Sequence, residues 1–179
     1  MRLRKKIPVF FVESDDTFVK GIQESFIDDE SFDIFFFNSG ERFVAYITSE
    51  IYNKRDFAIL FLGFTFNEDE GNAVMNGLEV MELVDRYAPR IDVVMLYDDQ
   101  SEEELALAKR LGAKHTIKKG NRIILQIKTT VDNLFSKYQY IRRRRSAMMS
   151  FWALIYYVSA AILAIIILLI IAPHIFVFY

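Results

Sequence analysis

Four apolar runs and a shorter fifth, separated by segments with helical spacing, constrain this chain more than any other feature. The runs are Ile7 to Val12 (IPVFFV), Phe32 to Phe37 (FDIFFF), Phe57 to Leu62 (FAILFL), Ile91 to Leu96 (IDVVML) and His115 to Lys118 (HTIK). The first four are rich in β-branched and aromatic residues and too apolar for a sheet with one wet face, so they read as strands covered on both sides, and HTIK reads as a short fifth strand. Between them, Phe18, Ile22, Phe26 and Ile27 recur at helical spacing and predict a helix over about 16–28. Asn38 to Glu41 opens a second helix, with Phe43, Ile47 and Ile51 as its stripe. A polar loop from Thr65 ends in Asn76-Gly77, a turn signal, before the helical run Leu78 to Val84. Ser101 with Glu104 makes a capping box for a helix that Gly112 ends, and a last helix begins near Asn121. The expected fold class is α/β: a five-stranded, doubly wound parallel sheet with helices on both faces. Ligands of such folds collect at the C-terminal ends of the strands.

Charge distribution narrows the partners. Residues 7–136 hold 13 Lys+Arg against all 24 Asp+Glu, a net of −11, and the other nine cations lie outside that span. Such a body would repel a phosphate backbone, so no nucleic-acid partner is expected. The chain has no cysteine, which excludes disulfides and thiolate metal sites. The N-terminal residues do not read as a signal peptide, because acids follow quickly on a short apolar run. Asn67 to Gly71 lacks the ligand spacing of a calcium loop, and Glu102, Glu103 and Glu104 favour the start of a helix electrostatically. Asp98-Asp99 reads as a turn after the fourth strand, and His115 and His174 would lie in different compartments under the topology read below, so they are not expected to pair. No metal site and no cofactor are expected.

The order of these segments resembles the response-regulator receiver (CheY-like) domain over residues 7–136. VFFVESDD, DFAILFL, NGLEVMELV, IDVVMLYDDQ and LAKRLGAKHTIKKG carry the likeness. The resemblance implies strand order 2-1-3-4-5 and a phosphorylation pocket at the strand ends. In an active receiver an Asp ending strand three accepts the phosphoryl group and two acids after strand one hold Mg²⁺. A Ser or Thr on strand four and a Lys on strand five bind the phosphoryl oxygens. Carried over by position, Phe61 stands where the acceptor Asp would be, and a phenyl ring has no nucleophilic oxygen. Glu13 and Ser14 fall on the acidic pair, Tyr97 on the small hydroxyl, and Thr116 on the switching aromatic. Lys119 alone is retained. A shift of one residue would bring Asp15 and Asp16 nearer the pocket without supplying an acid to strand three. The expectation is a pseudo-receiver: the fold kept, the catalytic residues absent, and no enzyme activity.

Beyond this body, Ala147 to Ala172 holds no charge, glycine or proline. As a helix its 26 residues would reach about 39 Å, against about 30 Å of bilayer hydrocarbon, so it reads as a transmembrane helix. Arg142, Arg143, Arg144 and Arg145 precede it as a positive-inside signal that would touch anionic lipid headgroups, with Trp152 as interface anchor. Ala160 and Ala164 form a small-xxx-small pair for helix packing. No glycine or proline separates Gly120 from Pro173, so the last helix of the domain and the span are expected to be continuous. The parts are then a basic segment 1–6, the receiver-like domain 7–136, a basic juxtamembrane helix 137–146, the span 147–172 and an apolar tail 173–179.

The expected function is a non-enzymatic regulatory or interaction subunit of an integral membrane protein complex. It would be single-pass in the inner membrane, with its receiver domain in the cytoplasm and its C-terminus outside. Homo- or hetero-oligomers would form through the face of helix four, strand five and helix five, or through the span. The alternative is a membrane-tethered signalling receiver that uses non-standard phosphorylation or binds a ligand in its altered pocket.

Overall fold

A computed structural model describes residues 6–26, 31–53, 56–66 and 75–176; the side chains of 142–151 and 164–176 lie outside the described residues. The elements are β1 (Ile7–Val12), α1 (Asp16–Phe26), β2 (Phe32–Phe37), α2 (Gly40–Thr48), β3 (Ala58–Gly63), α3 (Gly77–Tyr87), β4 (Ile91–Tyr97), α4 (Glu102–Arg110), β5 (His115–Lys118) and α5 (Ile123–Phe176). The five strands form one sheet in the order β2-β1-β3-β4-β5, with every neighbouring pair parallel. The α/β class, the strand count and the order are those read from the sequence. Parallel neighbours require crossover connections, and the alternation of strand and helix supplies them.

Strand alternation divides the core. Phe10, Val12, Leu60, Leu62, Val93 and Met95 pack with Phe43 and Ile47 of α2 and Val80, Met81 and Val84 of α3. On the other face, Phe11 stacks on Phe61 at 4.9 Å between ring centroids and meets Phe26 of α1 at 6.4 Å. The ammonium of Lys128 on α5 lies over the Phe26 ring at 5.5 Å. Val9, Phe10, Leu60, Phe61, Val94 and Leu96 are all fully buried, which accounts for the continuous apolar runs.

The helix starts show why the segments begin where they do. The Ser39 side chain accepts from the Arg42 amide at the head of α2, and Ser101 with Glu104 closes a reciprocal capping box on α4. Asn76, read from the sequence as a turn signal, closes a second such box with Glu79. Gly77 follows it because only a residue without Cβ fits: an added Cβ would collide with the Gly63 carbonyl oxygen. Gly112 has φ +109°, a left-handed conformation that suits the residue after the end of α4.

Contacts divide the chain into two compact units, Met1–Val131 and Asp132–Tyr179. The unbroken helix expected between Gly120 and Pro173 is present as α5, which runs on through Pro173. The transmembrane expectation is corrected: among the described residues no helix is long and apolar enough to cross a membrane. A C-terminal transmembrane helix is therefore not supported. Trp152 lies on α5 with an exposed side chain, as does Ala160. The side chains of Arg142, Arg143, Arg144, Arg145 and Ala164 lie outside the described residues, and so do 1–5, 67–74 and 177–179.

Candidate functional site

The C-terminal ends of β1, β3, β4 and β5 meet at one edge of the sheet, and a charged cluster sits there. Glu13 follows β1 and is 3% exposed, the buried acid of the described core. Its Oε2 lies 2.8 Å from Lys119 Nζ, a close ion pair. Its Oε1 accepts from the Ser14 amide at 3.1 Å. Lys119 follows β5, is held by its own amide donating to the Tyr97 carbonyl at 2.7 Å, and reaches a second carboxylate, Asp98 Oδ2, at 3.3 Å. Burial pulls the Lys119 pKa down, but close contact with the Glu13 carboxylate, then its charge and that of Asp98, outweigh it. The net shift is upward from the ordinary lysine value.

β3 contributes no oxygen-bearing side chain to this edge. Its residues are Ala58, Ile59, Leu60, Phe61, Leu62 and Gly63. The β3 position that adjoins the carboxylate is Gly63, whose missing Cβ would lie 3.0 Å from Glu13 Oε2. Phe61 sits two residues earlier on the same face, fully buried and stacked on Phe11.

The six pocket residues named from the sequence thus fall into different places. Glu13, Ser14 and Lys119 come together. Phe61 lies one pleat deeper. Tyr97 is half-buried and packs against the core between the sheet and the α2–α3 layer, and Thr116 is half-buried in the middle of β5. Asp15 is otherwise engaged: its Oδ1 accepts from the Thr17 and Phe18 amides at 2.8 and 3.2 Å and caps α1. Among the described residues no three His, Cys, Asp or Glu side chains cluster as a metal site would need.

Two participants escaped the sequence reading. Asp98 was assigned to a turn, and it is in that turn, yet it also reaches Lys119. Its position directly after β4, beside the end of β5, was the available signal. Gly63 carries no side chain to signal a role, and its place beside Glu13 follows only from the pairing of β1 with β3.

A second ordered contact borders this edge. Glu41 Oε1 of α2 accepts from the Met75 amide at 2.6 Å, and this hydrogen bond holds the carboxyl below its usual pKa. The Gly77 amide donates to the Phe64 carbonyl at 2.9 Å, so the start of α3 is tied to the end of β3.

No protein-family model matches the sequence, and no curated protein does. Solved structures match well in shape. A signal receiver domain from Vibrio parahaemolyticus superposes with a TM-score of 0.62 at 16% identity, covering 75% of this chain and 94% of that one. The fold is that of a CheY-like receiver domain. A CheY-like response regulator receiver domain protein from Methanospirillum hungatei JF-1 gives 0.57 at 15% identity over 74% and 99% of the two chains. A protein described as an adenylate cyclase from Rhodopirellula baltica gives 0.63 at 16% identity over 80% and 98%. In the receiver fold the charged cluster occupies the C-terminal strand edge, where doubly wound sheets bind their ligands.

Proposed function

We propose that this chain is a non-enzymatic regulatory module: a pseudo-receiver that acts by docking a protein partner and accepts no phosphoryl group on the usual aspartate. One observation carries the reading. The Lys119 ammonium is already paired with Glu13 at 2.8 Å, while β3, from Ala58 to Gly63, brings no carboxylate to the same place. Phosphoryl transfer to a receiver needs a carboxylate nucleophile and hard oxygen ligands for Mg²⁺. Here Asp15 is committed to capping α1, and Glu13 and Asp98 both pair with Lys119.

Regulation through a docking face needs no such chemistry. Leu107 of α4 and Ile124 and Leu125 of α5 are exposed large apolar side chains on the two helices flanking β5, and Leu125 is 65% exposed. A site for a protein partner on these helices follows the usual anatomy of an apolar interface centre. The test is purification of the full chain from its native source with identification of stoichiometric partners. A specific partner that Leu125→Asp abolishes, with the fold unchanged by circular dichroism, is the expected result. Recovery of wild type as a lone monomer, or a partner indifferent to Leu125→Asp, overturns the docking assignment.

A further inference from the structure

Lys119 joins two segments that the sheet alone does not join. Glu13 belongs to the β1–α1 junction and is buried, so it is a fixed anchor. Asp98 belongs to the loop between β4 and α4, and its side chain is 58% exposed. The ammonium between them is 22% exposed, so its attraction for Asp98 is screened less than that of a surface pair. The neighbouring Lys118–Asp99 pair is 3.7 Å long with side chains 62% and 98% exposed, and contributes little. Within the loop, the Asp98 amide donates to Gln100 Oε1 at 2.7 Å and Ser101 caps α4, so a force on Asp98 is passed to the helix start.

We propose that Asp98 is a built-in anion for Lys119, a carboxylate supplied by the loop itself that pins the β4–α4 loop and the head of α4 in one position. An added oxyanion at Lys119 would compete with Asp98, because the other partner, Glu13, is buried. The loop position is then set within the chain and does not wait for a covalent signal. This rests on the reading above that Lys119 receives no phosphoryl group.

Backbone ¹⁵N relaxation on the full chain, with no phosphoryl donor present, tests it. In wild type the Asp99 and Gln100 amides have order parameters near the rigid value of about 0.85. Asp98→Asn lowers them to about 0.6, while amides of β1 and β3 stay unchanged. Lys119→Met does the same, and Lys119→Arg, which keeps the charge, retains most of the order. If Lys119→Met fails to fold, Asp98→Asn still decides, since Asp98 is largely exposed and outside the core. Unchanged loop order in Asp98→Asn overturns the proposal, as does a loop already mobile in wild type. Failure of the underlying reading would show separately, as a phosphoryl adduct in the intact mass.

Discussion

Glu13 and Lys119 set the character of the site through a difference in burial. Removing the cation leaves a buried carboxylate uncompensated, which in a fully enclosed pair costs several kcal/mol. Lys119 keeps some contact with water, so Lys119→Met should cost less, about 2 kcal/mol, read from urea unfolding. A double-mutant cycle with Glu13→Gln should recover part of that loss, because both charges are then gone. The raised Lys119 pKa adds a pH signature. Its stabilisation is complete below the ordinary lysine pKa of about 10.4 and is lost as pH rises through the higher folded-state value.

Tyr52 acts in the same alkaline window for a different reason. Its ring is buried in the aromatic cluster with Phe10 and Tyr46, its hydroxyl has no hydrogen-bond partner among the described residues, and burial pushes its pKa to about 12. The unfolded chain ionises first, so Tyr52 lowers stability as pH climbs from about 10 toward that value. Tyr52→Phe should remove this share of the decline and be neutral or stabilising by about 1 kcal/mol at pH 7. Thermal melts from pH 8 to 11.5 on both variants separate the two groups; an unaltered alkaline slope in either contradicts its assignment.

At the scale of elements, the helix starts carry the specificity of the connections. Asn76→Ala opens the α3 capping box and should cost about 1 kcal/mol in urea unfolding. Gly77→Ala is worse, since its Cβ would meet the Gly63 backbone oxygen and either β3 or α3 must move. A loss of about 3 kcal/mol or more is expected; a neutral substitution would mean that the close approach of α3 to β3 is not as described.

These elements also show what the sequence made legible. Buried strands announce themselves by continuous apolar residues, and Ser101–Glu104 by a spacing that only a helix start explains. Asn76 gave the right boundary with an incomplete reason, since Asn-Gly suits a turn as well as a cap. Gly63 and Asp98 were missed because their roles depend on which strand ends are neighbours in space. The apolar stretch beyond Ala147 led further than the structure supports: composition alone proposed a span, and among the described residues no helix is long and apolar enough to cross a membrane.

For the whole molecule, the receiver fold is carried by a sheet whose two faces are filled independently. The Phe11–Phe61 stack belongs to one face and the Phe10–Phe43 contact to the other. Phe61 is thus a core residue, and Phe61→Ala should cost about 3 to 5 kcal/mol while leaving the Glu13–Lys119 pair in place. The same burial explains why an apolar residue at this point of β3 is compatible with the fold and not with phosphoryl chemistry. Regulation, in this account, comes from a fixed arrangement of strand ends and from exposed helix surface.

The central claim is that this receiver fold has no phosphoryl acceptor. Incubation of the purified full chain with acetyl phosphate and Mg²⁺, followed by intact mass measurement, tests it most directly. The account predicts an unchanged mass. A stoichiometric gain of about 80 Da, one phosphoryl group, would contradict it.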